Sequence, residues 1–273
     1  MENMISGPKQ WRPSFFLVAS AVLHVLAILF VSILPKYWLW VIAVIVVDHL
    51  SIVAAGLLPR CQLLGTNWTQ LPAASVQRRE VALTIDDGPD PEVTPQVLDI
   101  LDAYNAKATF FCIGQHAQDY PELCCEIVKR GHAVENHTQH HWHYFSLLIN
   151  SKRIRAEIVA AQQSVTAITG VAPLFFRPTA GLRNFLLEPI LCGLGLQLAS
   201  WTRRGFDTRE KQTARVLNKL LENLQAGDIL LLHDGHAART IEGVPVIVEV
   251  LPQLLVAFKA AKLNPVTLRA ATL

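Results

Sequence analysis

Charge is scarce in this chain and nearly balanced: 24 Lys and Arg face 22 Asp and Glu, a formal charge of +2 over 273 residues. A backbone-binding surface needs a clear basic excess, so nucleic acid is not expected as a partner. Cysteine is sparse too. The five present (Cys61, Cys112, Cys124, Cys125 and Cys192) are odd in number and show no Cys-x-x-Cys spacing. They form no disulfide framework and read as reduced thiols packed as small hydrophobes, in keeping with a cytoplasmic domain. No internal repeat and no low-complexity tract occurs, which sets aside solenoids and disordered arrays. Charged residues make up only 17% of the chain against 51% hydrophobic, high for a soluble enzyme. The excess is local.

Residues Ser14 to Leu34 run for 21 positions without a formal charge, and Tyr37 to Leu58 for 22 with only Asp48. Each is long enough to cross a hydrocarbon core of roughly 30 Å as a helix. Pro35 and Lys36 alone separate them, so two spanning helices must form an antiparallel hairpin. Tyr37, Trp38 and Trp40 open the second segment, where amphipathic rings favour the interface. A cleaved signal peptide is the other reading of the first segment, but its apolar run is too long and lacks a small-x-small site before Lys36. Lys9 and Arg12 precede the first span, Lys36 lies in the turn, and Arg60, Arg78 and Arg79 follow the second. The positive-inside rule then puts both ends in the cytoplasm of a bacterial-type inner membrane, as a multi-pass protein. About the turn, residue 24 comes level with residue 47, so His24 is expected to hydrogen-bond Asp48 and offset the burial of that charge.

The chain divides into residues 1–58 with spans at about 14–34 and 37–58, a linker at 59–79, and a domain at 80–273. The linker carries Leu63, Leu64, Trp68 and Leu71, which either lie on the membrane surface or pack on the domain. Beyond it, short apolar runs at 81–86, 108–113, 133–136, 174–177, 196–201, 229–233 and 265–268 alternate with helical stretches. Those stretches are at 94–104, 119–130, 151–169, 184–193, 212–225 and 245–261. Such alternation implies an α/β domain with a parallel sheet and crossover helices. Seven strands either close a barrel or stay open, and periodicity does not choose. Either way the active face is at the C-terminal ends of the strands.

Three short segments carry the chemistry. Leu83-Thr84-Ile85-Asp86-Asp87-Gly88-Pro89-Asp90 ends an apolar run in two carboxylates and a turn. His137-Thr138-Gln139-His140-His141 puts two imidazoles at i and i+4, which on a helical turn share one face and can grip one ion. Leu230-Leu231-Leu232-His233-Asp234 ends another apolar run in a histidine. An Asp, a His pair, a spare Asp and a distant His are the parts of a hydrolytic metal site: three ligands, a base and an acid. His116, His132 and His236 are read as bland, and His140 and His143 as surface or outer groups.

Together with Asp90-Pro91-Glu92-Val93-Thr94-Pro95, Ala108-Thr109-Phe110-Phe111-Cys112-Ile113-Gly114 and Gly131-His132, these segments resemble the polysaccharide deacetylase family. This is the NodB homology domain, or carbohydrate esterase family 4, and the resemblance covers roughly residues 80–268. It implies a distorted (β/α) barrel of about seven parallel strands, here preceded by the two-helix transmembrane hairpin. It implies hydrolysis of an N-acyl group on an amino sugar, with Asp87, His137 and His141 holding a divalent metal. Zinc is the default ion, while cobalt and nickel bind the same ligands. Asp86 is then the base and His233 the acid. Arg177 and Asp207 are outer partners that orient them, and the Ala180 backbone N–H donates to the oxyanion.

The sequence departs from the family at Arg177-Pro178-Thr179-Ala180-Gly181, where Ala180 replaces an aromatic residue, and at Thr208, where a Trp is usual. Sugar faces commonly rest on such rings, so a polymer groove is stripped while the chemistry stays intact. The expected function is a membrane-anchored, metal-dependent N-deacylase, removing acetyl or formyl from an amino-sugar glycan or a lipid-linked glycoconjugate. Two rivals stand beside it: an externally facing deacetylase of peptidoglycan or exopolysaccharide, and a non-catalytic glycan-binding membrane protein.

Overall fold

The computed structural model describes residues 10–143 and 150–273. Lys9, one of the charges used to orient the hairpin, lies outside the described residues. Helices α1 (Phe15–Ile33) and α2 (Trp38–Leu57) run antiparallel about a 3-10 turn at Pro35–Tyr37. Ser14 caps α1 by accepting from the Leu17 N–H. Mean hydropathy reaches 2.6 and 2.2 along these helices, and 6% and 11% of their residues are buried, so their apolar side chains face outward. Length and composition suit both to cross a membrane.

The hairpin's polar contact differs from the expected one. Asp48 turns inward, but it accepts its hydrogen bond from Ser20 Oγ at 2.7 Å. His24 Nδ1 donates instead to the Ser20 carbonyl one turn back (2.8 Å), and its Nε2 lies 3.3 Å from His49 Nε2. His24 and Asp48 come no closer than 3.9 Å. The depth matching was sound to within one turn. The smaller hydroxyl reaches the carboxylate, and the imidazole is drawn to its own helix carbonyl.

The domain is built on strands β1 (Glu80–Asp86), β2 (Thr109–Cys112), β3 (Ala133–Asn136), β4 (Phe175–Phe176), β5 (Gln197–Leu198), β6 (Arg203–Arg204), β7 (Ile229–His233) and β8 (Asn264–Val266). Every strand pairing is parallel. Among the described residues, seven strands follow one path, β5-β4-β3-β2-β1-β7-β6, and β8 adds to the base of β1. Each expected apolar run holds a strand. The two-residue β6 was not legible, because Arg203-Arg204 carries no apolar run to announce it.

Strands alone do not close this barrel. Residues 68–71 run through the gap between β5 and β7: Trp68 exchanges backbone hydrogen bonds with Leu198 and Ser200, and the Leu71 N–H donates to Gly227. Leu64 and Leu71 are buried and Trp68 stands edge-on to Phe175, so of the linker's four apolar residues Leu63 alone is exposed and the segment packs on the domain.

Around the sheet lie α3 (Ala73–Gln77), α4 (Val93–Ala103), α5 (Gly114–Asp119), α6 (Pro121–Lys129), α7 (Ser151–Thr169), α8 (Leu187–Leu194), α9 (Thr213–Leu221) and α10 (Val246–Ala260). The helix expected at 119–130 is α6, which begins at Pro121, a residue suited to a helix's first turn, while the short α5 before it was not anticipated. Alternation sorts the faces of β1. Val81, Leu83 and Ile85 point outward into the helix layer with Leu98, Leu230 and Leu254. Ala82 points inward with Phe111, Phe175, Trp201 and Leu231. Thr84 and Asp86 share that inward parity.

Candidate active site

Register brings the chemistry together. Asp86, the last residue of β1, is level with His233, the last of β7, and with Phe111 of β2. Asn136 at the end of β3 is level with Phe176 at the end of β4. His137 and Arg177, each one residue further on, therefore emerge side by side. Asp87 would face away from Asp86 in a continuing strand, but its φ of 76° turns the chain there. Such a conformation costs a non-glycine residue about 1–3 kcal/mol unless its surroundings impose it. The neighbours do so. A Cβ on Gly88 would lie 2.4 Å from Asp234 Oδ2, and one on Gly235 would lie 2.3 Å from the Asp87 carbonyl oxygen. Only glycines let the ends of β1 and β7 approach this closely. Asp234 in turn accepts from Thr94 Oγ1 (2.5 Å), which itself accepts from the Asp90 N–H (2.7 Å), so the carboxylate pins the turn after β1.

The His pair converges by another route than a helical turn. Residues 137–142 are irregular, with φ of 67° at Thr138 and 53° at His141. The Asn136 side chain accepts from the Thr138 N–H, and Thr138 Oγ1 accepts from the His141 N–H, both at 3.0 Å. This folded loop aims both imidazoles at one point: His137 Nε2 and His141 Nε2 each lie 3.1 Å from Asp87 Oδ1. One donor atom from each of the three residues falls within 4.8 Å of the others.

The outer residues are equally well determined. Arg177 is wholly buried and spends its guanidinium on Asp86 Oδ1 (2.6 Å), Thr84 Oγ1 and the carbonyls of Ala199 and Ser200, with its face 4.0 Å from the Phe111 ring. Asp207 is buried and accepts twice from His233, from the backbone N–H at 2.7 Å and from Nδ1–H at 2.9 Å. Ala180, at φ 56°, sits on the wall of a cleft of about 290 Å³ that also exposes Asp86, Asp87, His137, His141 and His233. All eight residues expected at the site thus gather at one mouth of the barrel.

The polysaccharide deacetylase family model matches residues 73–199. Over 176 residues the chain is 35% identical to a peptidoglycan-N-acetylglucosamine deacetylase of Bacillus cereus, covering 64% of this chain and 81% of that protein. The chain belongs to the polysaccharide deacetylase family. It is also 33% identical over 156 residues to a chitooligosaccharide deacetylase of Azorhizobium caulinodans, covering 57% of this chain and 73% of that one. Among solved structures it superposes on the Bc1960 peptidoglycan N-acetylglucosamine deacetylase with a TM-score of 0.67 at 28% identity, over 75% of this chain and 92% of that one.

The electrostatics suit a deacetylase of this family. Burial works against an ionised Asp87, yet hydrogen bonds from His137, His141 and His236 hold its carboxyl well below the usual range. Burial also opposes a charged His137, but Asp86 and Asp87 outweigh it and raise the imidazole. At His141 burial wins and the imidazole is lowered. The His137 Nδ1–H donates to the Arg177 carbonyl at 2.7 Å, which fixes the ring so that Nε2, once it gives up its proton, turns a lone pair towards Asp87. Two imidazole nitrogens and a carboxylate oxygen converging at this spacing fit a divalent cation, which would take the place of the ring protons. His233 is raised to about 9: burial opposes its charge, and the Asp207 carboxylate more than compensates.

Three contributors were not found from sequence. His236, read as bland, lies on the cleft wall with Nδ1 3.4 Å from Asp87 Oδ2; its only signal was a position three residues after His233. Thr84 carries the parity of Asp86 and could have been found by it. Asp234, adjacent to His233, is pushed up to about 7 by burial. His140, as anticipated, is an outer group, bonded through N–H and Nδ1 to Glu157 of α7.

Proposed function

We propose that this carbohydrate deacetylase is a membrane-anchored, metal-dependent enzyme that removes an acetyl or formyl group from the amino sugar of a lipid-linked glycoconjugate. The observation that carries the reading is the seating of the cleft against the end of α2. A Cβ on Gly181, a cleft residue, would lie 2.9 Å from Pro59 Cβ, and the Arg183 N–H donates to the Gly56 carbonyl at 3.0 Å. With α1 and α2 in a bilayer, the cleft opens at headgroup depth, where a lipid-linked sugar resides and a thick polymer wall does not.

Asp87, His137 and His141 would hold the divalent ion, zinc by default. When bound, such an ion polarises the acyl carbonyl and lowers the pKa of water. Asp86, held by Arg177, accepts the proton of the attacking water. The water oxygen bonds to the acyl carbon, and the Ala180 N–H donates to the developing oxyanion. The carbon–nitrogen bond then breaks as His233, its Nδ1–H anchored on Asp207, gives a proton to the departing amine. Arg12, Arg60, Arg78 and Arg79 against Lys36 favour a cytoplasmic domain under the positive-inside rule.

The relatives' names, peptidoglycan and chitooligosaccharide deacetylases, favour a second reading: an externally facing enzyme acting on a polymer. Mass spectrometry of glycolipids and glycans from cells with and without the protein separates the two. Accumulation of a glycolipid heavier by one acyl group supports the first reading. A change confined to wall or exopolysaccharide, with a C-terminal reporter outside the cytoplasm, refutes it.

A further inference from the structure

We propose that Arg204 and Arg209 form a receptor for the phosphoryl group of a lipid-linked amino-sugar phosphate; this rests on the N-deacylase reading above and names its substrate class. Both arginines line the same cleft as Asp86, Asp87 and His233. Their situation contrasts with that of the other arginines nearby. Arg177 is saturated by Asp86, Thr84 and two carbonyls, and Arg203 is paired with Asp228 at 2.6 Å. Among the described residues, neither Arg204 nor Arg209 has a carboxylate within ion-pair distance, and the buried Nε of Arg204 has no hydrogen-bond partner. A buried N–H without an acceptor is costly, so it marks a place where a ligand atom belongs.

Arg204 is also preset. Its guanidinium carbon lies 5.4 Å from the Trp201 ring centroid and 5.1 Å from that of Phe206, so two aromatic rings restrict where the group can move. A guanidinium held between two rings with no carboxylate to neutralise it suits an anionic oxygen pair. Two guanidinium charges match a phosphoryl group better than a single carboxylate, and a neutral polymer would leave the Arg204 Nε unmet.

Position identifies the source of the phosphate. Trp201 packs against Gly181, which meets Pro59 just past α2, and Arg60 Nη1 donates to the Thr202 carbonyl at 3.0 Å. The strand leading to Arg204 is thus tied directly to the end of the membrane helix. A phosphate joining a sugar to a lipid lies at that depth, with the sugar reaching inward towards Asp86 and His233 and the lipid chain left beside α2.

The test uses the full chain, metal-loaded in detergent micelles, with an Asp86→Asn background to prevent turnover. Binding is measured for N-acetylglucosamine linked through phosphate to a farnesyl chain, for the farnesyl glycoside lacking phosphate, and for N-acetylglucosamine 1-phosphate. The readout is the ratio of affinities with and without phosphate, from which any loss of folded protein cancels. Arg204→Ala and Arg209→Ala are each expected to lower that ratio about 10- to 100-fold, and Arg204→Lys to restore part of it. A ratio unmoved by either alanine overturns the receptor. Binding of the soluble 1-phosphate as tight as that of the farnesyl compound overturns its assignment to a lipid. The two readings also fail separately. Acyl release by the unsubstituted protein with an unmoved ratio removes only this proposal, whereas a collapsed ratio without acyl release removes only the deacylase reading.

Discussion

Asp207→Asn isolates the part of the proposed mechanism that depends on a buried carboxylate behind His233 as the acid. Asp207 supplies two acceptors to His233, one to its N–H and one to its Nδ1–H, together with the negative charge that raises the imidazole to about 9. Asparagine keeps one acceptor and no charge, so the His233 pKa falls back towards its ordinary 6.5, because burial is then opposed only by the weaker pull of Asp87 and Asp86. At pH 8 a group of pKa 9 is about 90% protonated and one of pKa 6.5 only about 3%, a loss of acid of up to about 30-fold; at pH 6 the two differ by less than about twofold. Stability shifts in the same sense. A raised folded-state pKa contributes stability that is whole below about 6.5 and is lost as pH rises through about 9, and the variant lacks this contribution. The assay is acetate or formate release from an N-acylated amino sugar between about pH 5.5 and 9.5, with the alkaline limb as readout. A variant slowed by the same factor at every pH, with its alkaline limb in place, would refute the reasoning and leave Asp207 as scaffolding alone.

Asp87→Ala, His137→Ala and His141→Ala should each empty the site of metal, whereas Asp86→Asn should keep the metal and lose about 10²–10⁴-fold in rate; equal metal loss in all four, by elemental analysis, would erase the division between ligands and base. Gly56→Ala should destabilise the detergent-solubilised protein by about 1–3 kcal/mol, because its new Cβ would lie 2.2 Å from the Arg183 carbonyl oxygen. Gly193→Ala in α8 is the control, since its Cβ would meet nothing nearer than 3.8 Å and should be neutral or stabilising in thermal unfolding.

Much of this protein was legible in order along the chain, and the limits have physical causes. Apolar runs such as Val81–Asp86 and Ile229–His233 announce buried parallel strands because a strand covered on both faces has no polar side to interrupt it. The adjacent Asp86 and Asp87, the His137/His141 spacing and His233 after its apolar run named the site, since hydrolytic chemistry admits few residue types. The two apolar segments before Pro59 declared their helices and their hairpin, since only Pro35 and Lys36 separate them.

Tertiary structure decided whatever depends on distance in space rather than position in sequence. The His pair meets through two left-handed residues and the Asn136 and Thr138 side chains, not through helical periodicity, and no local pattern encodes that. His236 becomes part of the cleft only because β7 lies beside β1 and Gly235 lets the turn touch Asp87. Asp48 takes Ser20 rather than His24 because rotamers, not helical depth, settle which neighbour reaches first. The segment 68–71 reads as a linker, yet it fills the gap that the short β5 and β6 leave in the barrel. The sequence alone determined which groups are present and which elements carry them. Register, turns with positive φ and close glycine contacts determined which groups meet, because each is a relation between segments that a single run of residues does not contain.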